Sequence, residues 1–329
     1  MSLYSYKVDN LMNDLGGCGL LQKLLCVITH VAIILAAWSV LGMAFIGYDP
    51  GFTCRILNIE ATAMSFINAS TISTHRLCSV GTYSTCSSYQ FSPKMNTIVS
   101  EWNLVCDKRW VVAVVTSVQM AGVFVGNIVT GPLADSIGRK PSLIINVLLL
   151  VVFNFIAYFI QTWEVYAVIR FLIGIGAGIY FTVAFPLMVE FVPSKLRPIA
   201  VCFPSEPIAA MLFAFVSFWL HDWRSIHLLK TLIGIPILMT LCFIPESFRW
   251  LISKLKFERA DQTISFVANV NRVIKPDIDG LFEAAQKEIA ATSTENISPF
   301  SLTILWSNKD LRKVTVPLTI PWQVQVSFK

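Results

Sequence analysis

Charge is what this sequence has least of. Only 14% of its 329 residues are Asp, Glu, Lys or Arg, against about 25% in soluble domains, so an ordinary water-facing surface is excluded. The basic residues form no block and no basic–aromatic pattern, which excludes the footprint of a nucleic-acid binder. No cleavable leader is legible: the first apolar run begins near Leu24 and is too long for an h-region of about 7–15 residues. Neither G-x-S-x-G, H-E-x-x-H nor a paired C-x-x-C occurs, so the chain reads as no enzyme, with no cofactor and no metal. Gly174, Gly176 and Gly178 lack the G-x-G-x-x-G spacing of a phosphate loop and follow no strand pattern. Close helix packing accounts for them better, as it does for Gly122 and Gly126.

What the chain has instead is apolar length. Hydrophobic residues make up 55% of it, and six runs reach the roughly 20 residues a membrane span requires: Leu24–Gly47, Trp110–Gly131, Pro141–Ile160, Val165–Leu187, Ile199–Leu220 and Ile226–Phe243. Six buried core helices would leave a soluble protein too little polar surface, so the fold class expected is all-α, a polytopic bundle with the lipid bilayer as its solvent. Short connections carrying Arg139 and Lys140, then Lys195 and Arg197, then Arg249, Lys254, Lys256 and Arg259 mark the cytosolic side. Both termini are then cytosolic, and residues 48–109 are extracellular. That loop carries Cys54, Cys78, Cys86 and Cys106, which in an oxidising compartment read as two disulfides with three possible connectivities. It also carries a glycosylation sequon at Asn68.

Three charged stretches sit at the ends of these runs. In "GPLADSIGRK" (Gly131 to Lys140), glycines at 131 and 138 suit a tight turn between helices, and Asp135 can hold Arg139 or face a helix N-terminus. Glu190 and Arg197 stand with six residues between them, and "PESFRWL" supplies Glu246 and Arg249. Acid and base therefore recur together at three successive cytosolic ends, partly dehydrated and able to act as a breakable latch.

Together these stretches resemble the G-x-L-A-D-x-x-G-R-K, E-x6-R and P-E-S-x-R motifs of the major facilitator superfamily. "VDNLMNDLGGCGLLQK" (Val8 to Lys23), "TIVSEWNLVCDKRW" (Thr97 to Trp110) and "DWR" (Asp222 to Arg224) are similar to signatures of its organic cation, anion and carnitine transporter family. Ser136, where the motif usually has arginine, and Phe248, where it usually has proline, depart from the pattern, as do four external cysteines where the family commonly has six. The resemblance implies twelve spans in two six-helix bundles that rock about a central site, of which this chain supplies the amino-terminal six. It implies a cytosolic latch of Asp135, Arg139, Glu190, Arg197, Glu246 and Arg249. It also implies a plasma-membrane carrier for a small organic ion, a cation or a zwitterion such as carnitine. The expected division is a cytosolic amino terminus (1–23), a first span (24–47), the extracellular loop (48–109), spans two to six (110–244), a cytosolic helical loop (245–313) and a truncated start of a seventh span (314–329). A half-carrier without transport activity of its own, pairing with a carboxy-terminal half or with a full-length carrier, is the alternative.

Inside the spans, ionisable and aromatic residues are the candidates for substrate contact. Glu206, roughly 12 Å into the fifth span, lies between Pro204 and Pro207, which favour a discontinuous helix around a cavity. It reads either as a cation attractor or as a structural acid bonded to a neighbouring span. Phe181 and Phe185, four apart and so on one helix face, read either as a cation–π surface or as packing. Arg170 is expected to bond a neighbour, and His30 either to relay protons or to pack.

Overall fold

The computed structural model describes residues 3–55, 88–93 and 95–293. The chain divides into two compact units, residues 1–282 and 283–329, and the long helices all lie in the first. Among the described residues, six helices are long and apolar enough to cross a membrane. They are α2 (Leu20–Ile46), α4 (Trp110–Ile137), α5 (Arg139–Tyr158), α6 (Trp163–Glu190), the pair α7 (Arg197–Val201) and α8 (Ser205–Leu220), and α9 (Trp223–Phe243). Shorter helices flank them: α1 (Leu3–Asp14), α3 (Ile98–Glu101), α10 (Phe248–Ser253), α11 (Phe257–Asn271) and α12 (Asp279–Ser293). A two-stranded antiparallel ribbon, β1 (Phe52–Arg55) with β2 (Ser88–Phe91), pairs Cys54 with Tyr89. The apolar runs mark the spans to within a turn or so at most ends, and α4 overruns its run by six residues.

α2 and α6 form the middle of the bundle: α4 and α5 pack on α6, α8 and α9 on α2, and α5 also on α9. The α4–α6 contact is backbone on backbone. A Cβ on Gly122 would strike the Phe171 carbonyl and one on Gly126 the Ile175 carbonyl; from the other side, Gly174 and Gly178 meet the carbonyls of Gln119 and Val123. Without a hydrophobic drive between helices in lipid, such small-residue faces let dispersion hold them together. The fifth span is interrupted, as its prolines suggest: helix stops at Val201 and resumes at Ser205, with Pro204 as the N-cap.

One end of the bundle, next to the ribbon, is clamped by two of the sequence signatures. Thr97 and Ser100 form a capping box on α3, which holds Glu101 in place to receive the Arg224 guanidinium and the Trp223 indole N–H, the latter at 2.7 Å. Arg224 also donates to the carbonyls of Tyr158 and Ile160 at the end of α5. Asp222 caps α9 through Ser225 N–H at 3.0 Å and accepts from Asn96. Trp102 sits edge-on to Tyr166 and Trp223. The expected disulfide cysteines Cys78 and Cys86 and the sequon residue Asn68 lie outside the described residues, as does the side chain of Cys54; the segment expected to begin a seventh span also lies outside them.

Candidate functional site at the charged end of the bundle

At the opposite end, α4 passes into α5 through a single residue, Gly138, at φ +114° and ψ 165°, a conformation essentially confined to glycine. Gly131 does not share in this turn, contrary to the sequence expectation: it lies within α4, which runs on to Ile137. Pro132 also lies inside this helix, as transmembrane helices allow. Gly138 has a second task. A Cβ there would run into the Glu246 carboxylate, which lies across the start of α5 and accepts from the N–H groups of Arg139 (3.1 Å), Lys140 (3.0 Å) and Ser247 (2.9 Å). An anion at a helix N-terminus meets unsatisfied donors and the positive end of the helix dipole. Glu246, not Asp135, is the acid in that position.

Asp135 instead pairs with Arg139 one turn on, at 2.9 Å. The same guanidinium turns its Nε toward Glu190 at the end of α6, at 3.5 Å, and Ser247, Glu246 and Arg249 also lie around Glu190. Arg197 hydrogen-bonds the Val192 carbonyl at 3.2 Å. Its Nη2 and that of Arg249 each stand 3.5 Å from Asp9 of α1. All six sequence-predicted residues are thus brought to one end of the bundle; Asp135 and Arg139 pair within their own stretch, while Arg139 with Glu190 and Glu246 with the start of α5 link different stretches. Asp9 was missed. Its signal was present in the amino-terminal signature, where an acid on an amphipathic helix precedes paired glycines. Gly16 and Gly17 take positive φ values of 96° and 60° to turn the chain into α2. Asn271 of α11 then ties the junction by donating to Leu15 O and Gln22 Oε1, both at 2.8 Å. Trp250 Nε1 donates to Asp135 O at 3.2 Å, so α10 closes the ring of contacts.

The substrate candidates are dispersed. Glu206 is exposed on the first turn of α8, and Phe185 is half-buried on α6; the side chain of Phe181 lies outside the described residues. Next to Phe185 is a pair that sequence reasoning missed: Thr182 of α6 donates to Asn127 of α4 at 2.9 Å, and both are exposed. An amide on an exposed face of a span is out of place in lipid, and that was its only signal. His30 bonds the Ala200 carbonyl at 3.2 Å and leans on Phe203, and Arg170 bonds its neighbours as expected.

Residues 34–327 match the family described as "Sugar (and other) transporter". The chain belongs to that transporter family. It is therefore a multi-pass membrane protein of the major facilitator superfamily. Its relatives include solute carrier family 22 member 4 of Mus musculus, 31% identical over 70% of this chain and 41% of that protein. They also include organic cation/carnitine transporter 2 of Homo sapiens, 29% identical over 69% and 41% respectively. The chain thus spans less than half the length of these curated relatives. The inward-open structure of the xylose transporter XylE from E. coli aligns with 84% of this chain and 57% of that one, at 15% identity and TM-score 0.53, and shares the fold of this transporter bundle.

Proposed function

We propose that residues 1–329 form the amino-terminal bundle of an alternating-access carrier for small organic ions, and that the charged end is its cytosolic latch. The observation that carries this is the convergence of Arg139, Glu190 and Glu246 from three separate helix ends on one another. Contacts of 3.5 Å between partly exposed ions are loose, each worth about 0–1 kcal/mol. Such contacts hold a closed state and still release it within a turnover. Orientation in the plasma membrane follows the basic loops, which places both termini in the cytosol and the ribbon outside. Oxidation of the external cysteines Cys54, Cys78, Cys86 and Cys106 is part of the same reading, while Cys18, Cys26, Cys202 and Cys242 are free thiols. Glycosylation at Asn68 belongs to it too. The relatives' names support an organic cation or a zwitterion such as carnitine as substrate, with the exposed faces of α4, α6 and α8, which carry Asn127, Thr182 and Glu206, turned to the path.

A second reading has one observation in its favour. Alternating access takes two bundles rocking about a shared site, and this chain matches 41% of its relatives' length. Residues 1–329 alone would then be a half-carrier that pairs with a complementary half or a full-length carrier. Reconstitution tests both. Vesicles holding residues 1–329 together with a matching carboxy-terminal bundle should take up tetraethylammonium or carnitine saturably, and vesicles with residues 1–329 alone should not. Saturable uptake by the isolated chain would refute the need for a partner; none from the paired bundles would refute transport of these organic ions.

A further inference from the structure

A buried layer about two turns in from the ribbon end of α6 and α9 takes no part in the latch. Arg170 and Lys230 there are 0% and 1% exposed. A directional chain of bonds runs through this layer. Arg170 Nε donates to the Tyr166 hydroxyl at 2.8 Å, which leaves that hydroxyl's proton for His227 Nε2 at 3.1 Å. His227 is then neutral with its proton on Nδ1, which donates to Asn154 Oδ1 at 2.8 Å, and Asn154 donates on to Leu150 O at 2.7 Å. Ser39 O accepts both Arg170 Nη1 at 3.1 Å and Gln119 Nε2 at 3.2 Å.

Two donor groups of basic side chains are left over, and in the same layer the amide oxygen Gln119 Oε1 is without a partner too. Arg170 Nη2 and Lys230 Nζ have no hydrogen-bond partner among the described residues. Among the described residues, Lys230 sets against its charge the face of Phe213, 5.3 Å from its Nζ. No carboxylate among the described residues forms an ion pair with them: at this end Glu101 is engaged by Arg224 and Trp223, and Asp222 caps α9. The two head groups converge on the bare Cα of Gly42 in α2, where a Cβ would stand 2.8 Å from Lys230 Nζ and 3.5 Å from Arg170 Nη2. An uncompensated buried charge is among the most destabilising features a fold can carry, and here two of the same sign face one point.

We propose that Arg170 and Lys230, meeting over Gly42, bind a small monovalent anion within the bundle, a halide or a carboxylate group. It supplies the missing acceptor and the missing negative charge, and its enclosure by α2, α6 and α9 limits it to a few atoms. The site lies apart from the charged-end latch, and its test reads stability rather than transport. The full chain in lipid nanodiscs is unfolded thermally in sodium gluconate while chloride, or in a second series formate, replaces gluconate at constant ionic strength. The wild type should show a saturable rise in Tm, of about 5 °C or more at a hundredfold excess over the dissociation constant. A response to chloride identifies a free halide as sufficient, and a response to formate alone identifies a carboxylate. Lys230→Met keeps the stem and removes the charge; it should lose the saturable response and match or exceed the wild-type Tm in gluconate. Gly42→Ala keeps both charges and fills the meeting point, and should also lose the response. A wild type indifferent to both anions, or an undiminished response in both variants, would overturn the proposal.

Discussion

Two glycines of one ten-residue stretch should respond oppositely to the same substitution. Gly138→Ala puts a Cβ on a residue held at φ +114° and ψ 165°, which costs on the order of 1–3 kcal/mol in backbone strain. It also drives that Cβ into the Glu246 carboxylate. Displacing the carboxylate loosens three N–H donors at 2.9–3.1 Å, of a class worth about 1.5–3 kcal/mol each when fully formed and less here, because water can reach this end. A total of about 2–4 kcal/mol is expected. Gly131→Ala meets nothing within 4 Å inside a continuous helix and should gain about 0.5–1 kcal/mol from helix propensity. Thermal unfolding of the two variants in nanodiscs should therefore separate them by roughly 5–10 °C, with Gly138→Ala below the wild type and Gly131→Ala at or above it. Equal shifts would refute the assignment of the turn to Gly138 and of Glu246 to the α5 N-terminus.

Gly126→Leu should separate α4 from α6, since even a Cβ strikes the Ile175 carbonyl; overpacking of about 1–3 kcal/mol or more should appear as lost expression and a lower Tm. Asn68→Gln should abolish a glycosidase-sensitive gel shift of the chain made in cells, and a shift that persists would put the sugar elsewhere. In a two-bundle carrier, Glu206→Gln keeps the shape and removes the charge, so it should lower uptake of a quaternary ammonium several-fold more than that of an organic anion. Equal losses would make Glu206 structural.

The apolar runs carried the architecture legibly because lipid forces each span to satisfy its own backbone, so length and hydropathy suffice. The glycines of α4 and α6 were readable for the same reason: in lipid, small residues at helical spacing have little use but close approach. What could not be read was partnership across long separations. Glu246 and Arg249 share a motif, yet Glu246 bonds α5 and Arg249 reaches Asp9, and no spacing rule reports which of several charges at one end will meet. Lys230 escaped notice because one lysine in a run of 21 residues does not spoil a span, and only the packed bundle shows it fully enclosed beside Arg170. The ribbon and the Glu101–Arg224 clamp were likewise invisible, since the ribbon pairs positions such as Phe52 and Phe91 across a long loop and the clamp joins residues over 120 positions apart.

The latch is tested most directly by access to the exposed face of α4. In a two-bundle carrier stripped of its free thiols, Asn127→Cys places a reporter ten residues from the charged end of α4, about 15 Å deep. A membrane-impermeant maleimide then labels it from either side of sealed vesicles. Removing Arg139 frees Asp135 and Glu190 and takes about 1–2 kcal/mol from the closed state, a factor of roughly 5–30 in population. Arg139→Ala should therefore raise labelling from the charged side several-fold and lower it from the ribbon side. Labelling unchanged from both sides would contradict the latch.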